Sequence, residues 1–244
     1  MILFTKLAPT STPLLNQSPP FYPAALVPAF RCEGTIGRVV SGLLRSVAVV
    51  LVVDDGSKDA TAAVAEQAGA RVLIRETNGG KGSALRSGLA LLLKDSFTHI
   101  AFVDGDGQHA AEDLPRLLDA SRQGADFVIG SRLRARGDMP GKNYWANTMG
   151  DRVLSRMTGL PVEDGQSGFR VIEANLLRSL RLEASRYSIE NEILIKSCRK
   201  VTKFVTVPVQ TIYGSETRHY RPFRDTWVTA WLSAHYKTTG SDES

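Results

Sequence analysis

The chain has 244 residues, of which 43% are hydrophobic and 23% charged, and a formal net charge of +5. That length carries one large α/β domain with a well-buried core. The small basic excess fits an anionic substrate or an acidic membrane surface and gives no argument for a nucleic-acid partner. Two cysteines, Cys32 and Cys198, supply no disulfide framework and point to a reducing, cytoplasmic setting, and no run reaches the roughly eighteen apolar residues of a membrane span.

Met1 to Pro20 is rich in Pro, Ser and Thr and lacks a continuous apolar core, so residues 1–21 read as a disordered tail rather than a signal peptide. The domain is expected over 22–236, with a second loose tail at 237–244. Ala24–Val27 is a short strand stopped by Pro28, and Thr35–Leu44 is a helix. Val47–Val53 is apolar or β-branched throughout, as a parallel strand covered on both faces must be, and it runs into Asp54–Asp55–Gly56–Ser57. Ala60–Ala68 is an alanine-rich helix closed by Gly69, Arg71–Ile74 a strand, and Asn78–Ser83 a glycine-rich loop opening a helix through Leu93. A buried strand at Ile100–Val103 precedes a helix near Glu112–Arg122 and the strand Asp126–Ile129, which enters Gly130–Ser131–Arg132.

The second half is less regular. Leu133–Asn143 reads as a basic loop with Arg134, Arg136 and Lys142, Tyr144–Thr158 as a helix, and Glu163–Arg170 as a polar loop containing Asp164 and Ser167. Ile189–Lys200 is a helix whose Glu190 and Glu192 suit its positive end. Phe204–Gln210 is a strand that Pro208 assigns to an edge, and Asp225–Tyr236 is an amphipathic helix whose Trp227 and Trp231 suit packing or a membrane surface. Alternating strands and helices imply β-α-β crossovers and a mostly parallel sheet.

The densest chemistry lies in Asp104–Gly105–Asp106–Gly107–Gln108–His109, directly after the apolar run 100–103. Residues i and i+2 of an extended chain face the same way, so Asp104 and Asp106 can meet at one point, where like charges repel unless a cation lies between them. Hard oxygen ligands of this kind, with Gln108 as a third, suit Mg²⁺ or Mn²⁺. On this stretch alone, an acidic turn accounts for the pattern equally well. The neighbours decide it: Asp54–Asp55, Asn78–Lys81, Asp104–Gln108 and Arg132 fall at four strand ends, and ligands of open parallel sheets bind outside those ends. The 78–83 loop either cradles phosphate through its backbone N–H groups or is a plain turn. Asp164 either caps the turn that follows it or offers the crevice a carboxylate base. Arg132 is a candidate phosphate contact.

Taken in order, Pro28–Ala29–Phe30, Val53–Asp54–Asp55–Gly56–Ser57, Asn78–Gly79–Gly80–Lys81–Gly82, Asp104–Gly105–Asp106–Gly107–Gln108–His109, Gly130–Ser131–Arg132 and Asp164–Gly165–Gln166–Ser167–Gly168–Phe169–Arg170 resemble glycosyltransferase family 2, most of all its dolichol-phosphate mannosyltransferase-like branch. The resemblance implies a GT-A (Rossmann-like) single domain with helices flanking the sheet and no transmembrane segment. It also implies an inverting, metal-dependent transfer from a nucleoside diphosphate sugar such as GDP-mannose or UDP-glucose, with polyprenyl phosphate on the cytoplasmic membrane face as acceptor. Asp104, Asp106 and Gln108 would hold Mg²⁺ or Mn²⁺. Pro28, Phe30, Glu33, Asp54, Asp55 and Lys81 would line the donor, and Asp106, Arg132 and Asp164 would act in catalysis. Lys142, Ser167, His219 and Arg221 would meet acceptor or phosphate.

Arg31–Cys32–Glu33 stands where the family usually has Asn-Glu-Glu, and Lys142 stands where an arginine is common. Competing readings are a family 2 enzyme acting on a soluble or polysaccharide alcohol, and a degenerate nucleotide-sugar-binding module.

Overall fold

The structure, a computed structural model, describes residues 20–132, 141–183, 189–210 and 212, with the side chains of 141–149 outside that description. The expected helix 225–236 and the candidates His219 and Arg221 lie outside the described residues, as does the side chain of Lys142.

The elements run β1 (Pro23–Ala29), α1 (Ile36–Leu43), β2 (Val49–Asp54), α2 (Thr61–Gln67), β3 (Arg71–Ile74), α3 (Lys81–Leu92) and β4 (His99–Phe102). They continue with α4 (Leu114–Arg122), β5 (Phe127–Ser131), α5 (Gly141–Thr158), β6 (Arg170–Glu173), α6 (Ala174–Arg178), α7 (Ile189–Ser197) and β7 (Phe204–Pro208). Among the described residues they build one sheet in the order β3-β2-β1-β4-β6-β5-β7, parallel except for β6, which runs antiparallel to both β4 and β5. Successive side chains of β1 feed opposite layers. Ala25 and Val27 pack with α1 and α4, while Ala24 and Leu26 pack with α3 and α7, which explains the unbroken apolar run. Gly88 of α3 lies so close to Leu26 and Val53 that any side chain there would collide with them.

Three expectations change. First, β1 continues through Pro28 to Ala29 instead of stopping. The Pro28 carbonyl accepts from Gly105, so its nitrogen also faces the β4 side, where regular pairing has ended at Leu26–Phe102 and no ladder bond is lost. Second, the segment read as a polar loop ends in β6, whose start at Arg170 a charged residue disguised. Third, α5 begins at Gly141, within the stretch assigned to a basic loop, of which 133–140 lie outside the description. The edge placement of β7 is as Pro208 implied.

Candidate active site

The carboxyl ends of the parallel strands converge as expected, but the carboxylates there divide into two kinds. Asp54 and Asp55 are buried and shape loops. Asp54 accepts the Ser57 N–H at 3.0 Å, and Asp55 accepts from Gly79 at 3.1 Å, from Gly80 at 2.7 Å and from the Arg75 guanidinium. The amides of Gly79 and Gly80, in a loop that sequence alone leaves between a phosphate cradle and a plain turn, close on Asp55. Glu33 likewise accepts from Ala60 N–H at 3.0 Å, at the start of α2. What the loop sends into the crevice is Lys81, the first residue of α3.

Asp104 and Asp106 follow β4 on a turn closed by Gly107 (φ 73°), not on the extended backbone assumed from spacing. Lys81 Nζ lies 2.5 Å from Asp104 Oδ1 and 2.6 Å from Glu190 Oε1; His109 Nε2 is 3.7 Å from Asp104 Oδ2. Burial opposes ionisation of Asp104, but the Lys81 ammonium and His109 hold its carboxyl well below the usual range. Asp106 moves the other way: burial, then the negative charge of Asp104, raise it. Its Oδ1 accepts the Gln108 N–H at 3.0 Å. Gly168 packs directly against the Asp104 carboxylate, leaving no room for a side chain.

Asp164 is 1% exposed and adopts φ 53°, a left-handed backbone that aspartate tolerates. It accepts from Arg132 Nε and Nη2, both at 2.7 Å, and from Arg132 N–H at 3.0 Å. Burial pushes its carboxyl up, yet the Arg132 hydrogen bonds and charge keep it below the ordinary value. A general base works best with a pKa near the operating pH; in this structure both oxygens of Asp164 are engaged by Arg132. Ser167 is fully buried with its hydroxyl accepting from Phe169 N–H at 3.3 Å, which places it inside the loop rather than on an acceptor surface. Phe30 is 41% exposed under the Arg31 guanidinium, and Pro28 lines the crevice beside Lys81 and Asp104.

Three site residues escaped the sequence reading. Glu190 lines the same crevice, and its Oε2 is buried without a hydrogen-bond partner among the described residues. Arg170, 1% exposed, donates to the carbonyls of Gly165, Ser167 and Glu190 at 2.6–2.7 Å, tying the 164–168 loop to α7. Asp151 accepts the Asp164 and Gly165 N–H groups. Helix position gave Glu190 a generic reading, and burial of a charge leaves no signature in spacing.

Set beside known proteins, this chain matches the model "Glycosyl transferase family 2" over residues 24–181. The chain belongs to glycosyltransferase family 2. As a glycosyltransferase it is 34% identical over 189 residues to the undecaprenyl-phosphate mannosyltransferase of Micrococcus luteus, covering 72% of this chain and 75% of that protein. It is 32% identical over 210 residues to the glycosyltransferase AglJ of Haloferax volcanii, covering 82% of this chain and 67% of the relative. The glucosyl-3-phosphoglycerate synthase of Mycobacterium tuberculosis, solved with Mn²⁺, UDP-glucose and phosphoglyceric acid, superimposes with a TM-score of 0.67 at 24% identity, covering 92% of this chain and 82% of that one. The shared fold is GT-A.

No group of three or more His, Cys, Asp or Glu stands at metal-holding spacing among the described residues. Asp104 and Asp106 offer carboxylate oxygens, the donor type that hard divalent cations take, with Asp104 Oδ1 held by Lys81 in this structure. Their oxygens form a paired carboxylate set in which the charge of one disfavours ionisation of the other, a repulsion that a cation relieves. Among the described residues no helix is long and apolar enough to cross a membrane.

Proposed function

We propose that this glycosyltransferase moves a hexose from a nucleoside diphosphate sugar, GDP-mannose or UDP-glucose, onto a polyprenyl phosphate at a membrane surface, with inversion at the anomeric carbon. The observation that carries the reading is the meeting of Lys81 with Asp104, beyond β4, and of Arg132, beyond β5, with Asp164. A cation pair beside a carboxylate pair is what a diphosphate leaving group needs. Asp104 and Asp106, with Gln108 as a third oxygen, would hold Mg²⁺ or Mn²⁺, which when bound supplies charge neutralisation for the diphosphate. Lys81 and Arg132 orient the donor phosphates and stabilise the charge that develops as the sugar–phosphate bond breaks. Pro28 and the exposed ring of Phe30 offer an apolar wall for the nucleoside.

A phosphate acceptor is already an anion near neutral pH, so bond formation to the anomeric carbon requires positioning rather than a strong base. The engaged Asp164 supports this, as does the name of the relative from Micrococcus luteus. The test is transfer from each donor, with Mg²⁺ or Mn²⁺, to a short-chain polyprenyl phosphate, to 3-phosphoglycerate and to simple alcohols. The reading predicts a metal-dependent glycolipid. Transfer confined to phosphoglycerate or alcohols overturns it.

A further inference from the structure

Asp151 stands on α5, away from the crevice, with its side chain closed off from solvent. Its Oδ2 accepts the N–H of Asp164 and its Oδ1 accepts the N–H of Gly165, both at 2.8 Å. Consecutive amides converging on one anion form a backbone concavity of the kind that binds phosphate elsewhere; here the anion belongs to the chain itself. The left-handed backbone of Asp164 turns its carboxylate onto Arg132, which it grips at both Nε and Nη2. A continuous series of charge-assisted bonds thus runs from α5 through the turn to the guanidinium. None of the groups assigned to donor or acceptor touches Asp151.

We propose that Asp151 is a positioning residue: by clasping the amides of Asp164 and Gly165 it fixes the direction in which Arg132 meets the donor diphosphate. The diphosphate rests on the function proposed above; the clasp does not.

Protonation puts an O–H on one carboxyl oxygen, which makes that oxygen a poor acceptor and removes the charge assistance from both amide bonds. Burial pushes Asp151 up to about 6, the two amide bonds pull it down, and the charges of Asp164 and Glu163 add to the rise. Of the other charged groups nearby, Arg132 is engaged by Asp164, and Glu190 of α7, which packs on α5, is paired with Lys81. The clasp therefore opens as pH falls through about 6.

The test is residue-resolved hydrogen exchange on the full wild-type chain between pH 5 and 8, corrected for intrinsic rates, with Asp151→Asn in parallel. Protection of the Asp164 and Gly165 amides should fall tenfold or more below pH 6 in the wild type, and the Arg132 Nε–H should follow with the same midpoint. In Asp151→Asn, which keeps one acceptor oxygen, protection should be low and independent of pH. Wild-type protection that stays constant across the range overturns the clasp. An Arg132 Nε–H indifferent to the opening of the turn overturns the positioning role. No turnover is read, so failure here is distinct from failure of sugar transfer.

Discussion

Lys81 Nζ bridges Asp104 Oδ1 at 2.5 Å and Glu190 Oε1 at 2.6 Å, so one ammonium at the start of α3 neutralises carboxylates from the turn after β4 and from α7. All three side chains are at most a quarter exposed. Lys81→Met leaves two enclosed carboxylates without their cation, a loss of about 3 kcal/mol by the cost of breaking buried pairs. Millimolar Mn²⁺ should recover part of it by replacing the ammonium at Asp104. Thermal unfolding with and without metal checks this. A variant that gains no more from Mn²⁺ than the wild type does contradicts the metal position.

Gly168→Ala places a methyl where the Asp104 carboxylate lies. Ordinary secondary structure with sugar transfer reduced at least a hundredfold is expected, and circular dichroism beside an activity assay separates the two. Full activity would mean that Asp104 is free to move aside and is not held for a ligand.

Asp164→Asn removes the charge that grips Arg132 but keeps the shape. Losing one side of a charged bidentate pair at a residue 1% exposed costs about 2–3 kcal/mol. Denaturant midpoints report the stability loss. kcat/KM should fall at least a hundredfold, since Arg132 then wanders from the diphosphate. An unchanged pH–rate profile shape, at lower amplitude, distinguishes this role from general-base catalysis, whose loss would abolish the acidic limb.

These residues also mark how far the sequence could be read. The alternation of apolar runs and glycine-closed helices exposed the parallel half of the sheet, because strands covered on both faces must be apolar throughout. β6 stayed hidden since it is four residues long, antiparallel and begins with Arg170, a charged residue whose burial is satisfied by the carbonyls of Gly165, Ser167 and Glu190. Spacing brings Asp104 and Asp106 to the end of β4 but does not show the turn they sit on, and it leaves Asp164 between a turn cap and a base because its partner Arg132, 32 positions away, cannot be inferred from local pattern. Asp55 shows the same limit: spacing places it at a strand end beside a glycine-rich loop, but does not show its bonds to the Gly79 and Gly80 amides.

His99 begins β4, half-buried against the Phe21 ring at a centroid separation of 4.6 Å. Burial lowers it to about 4, with the charge of Asp126 offsetting that only in part. Between pH 6.5 and 4 the unfolded chain takes up a proton that the folded chain refuses, so the stability this residue contributes is present above 6.5 and lost as pH falls through that window. Urea midpoints at pH 7.5 and 5 should differ more in the wild type than in His99→Gln; equal differences contradict it.

On the function proposed above, Asp104 and Asp106 bind the donor diphosphate through a divalent cation. Calorimetric titration of GDP and UDP into the wild type and Asp106→Ala, each with and without Mn²⁺, tests it without any acceptor. The account predicts that Mn²⁺ tightens binding of one nucleotide by tenfold or more in the wild type and leaves Asp106→Ala unaffected. Metal-enhanced binding that survives in Asp106→Ala contradicts it.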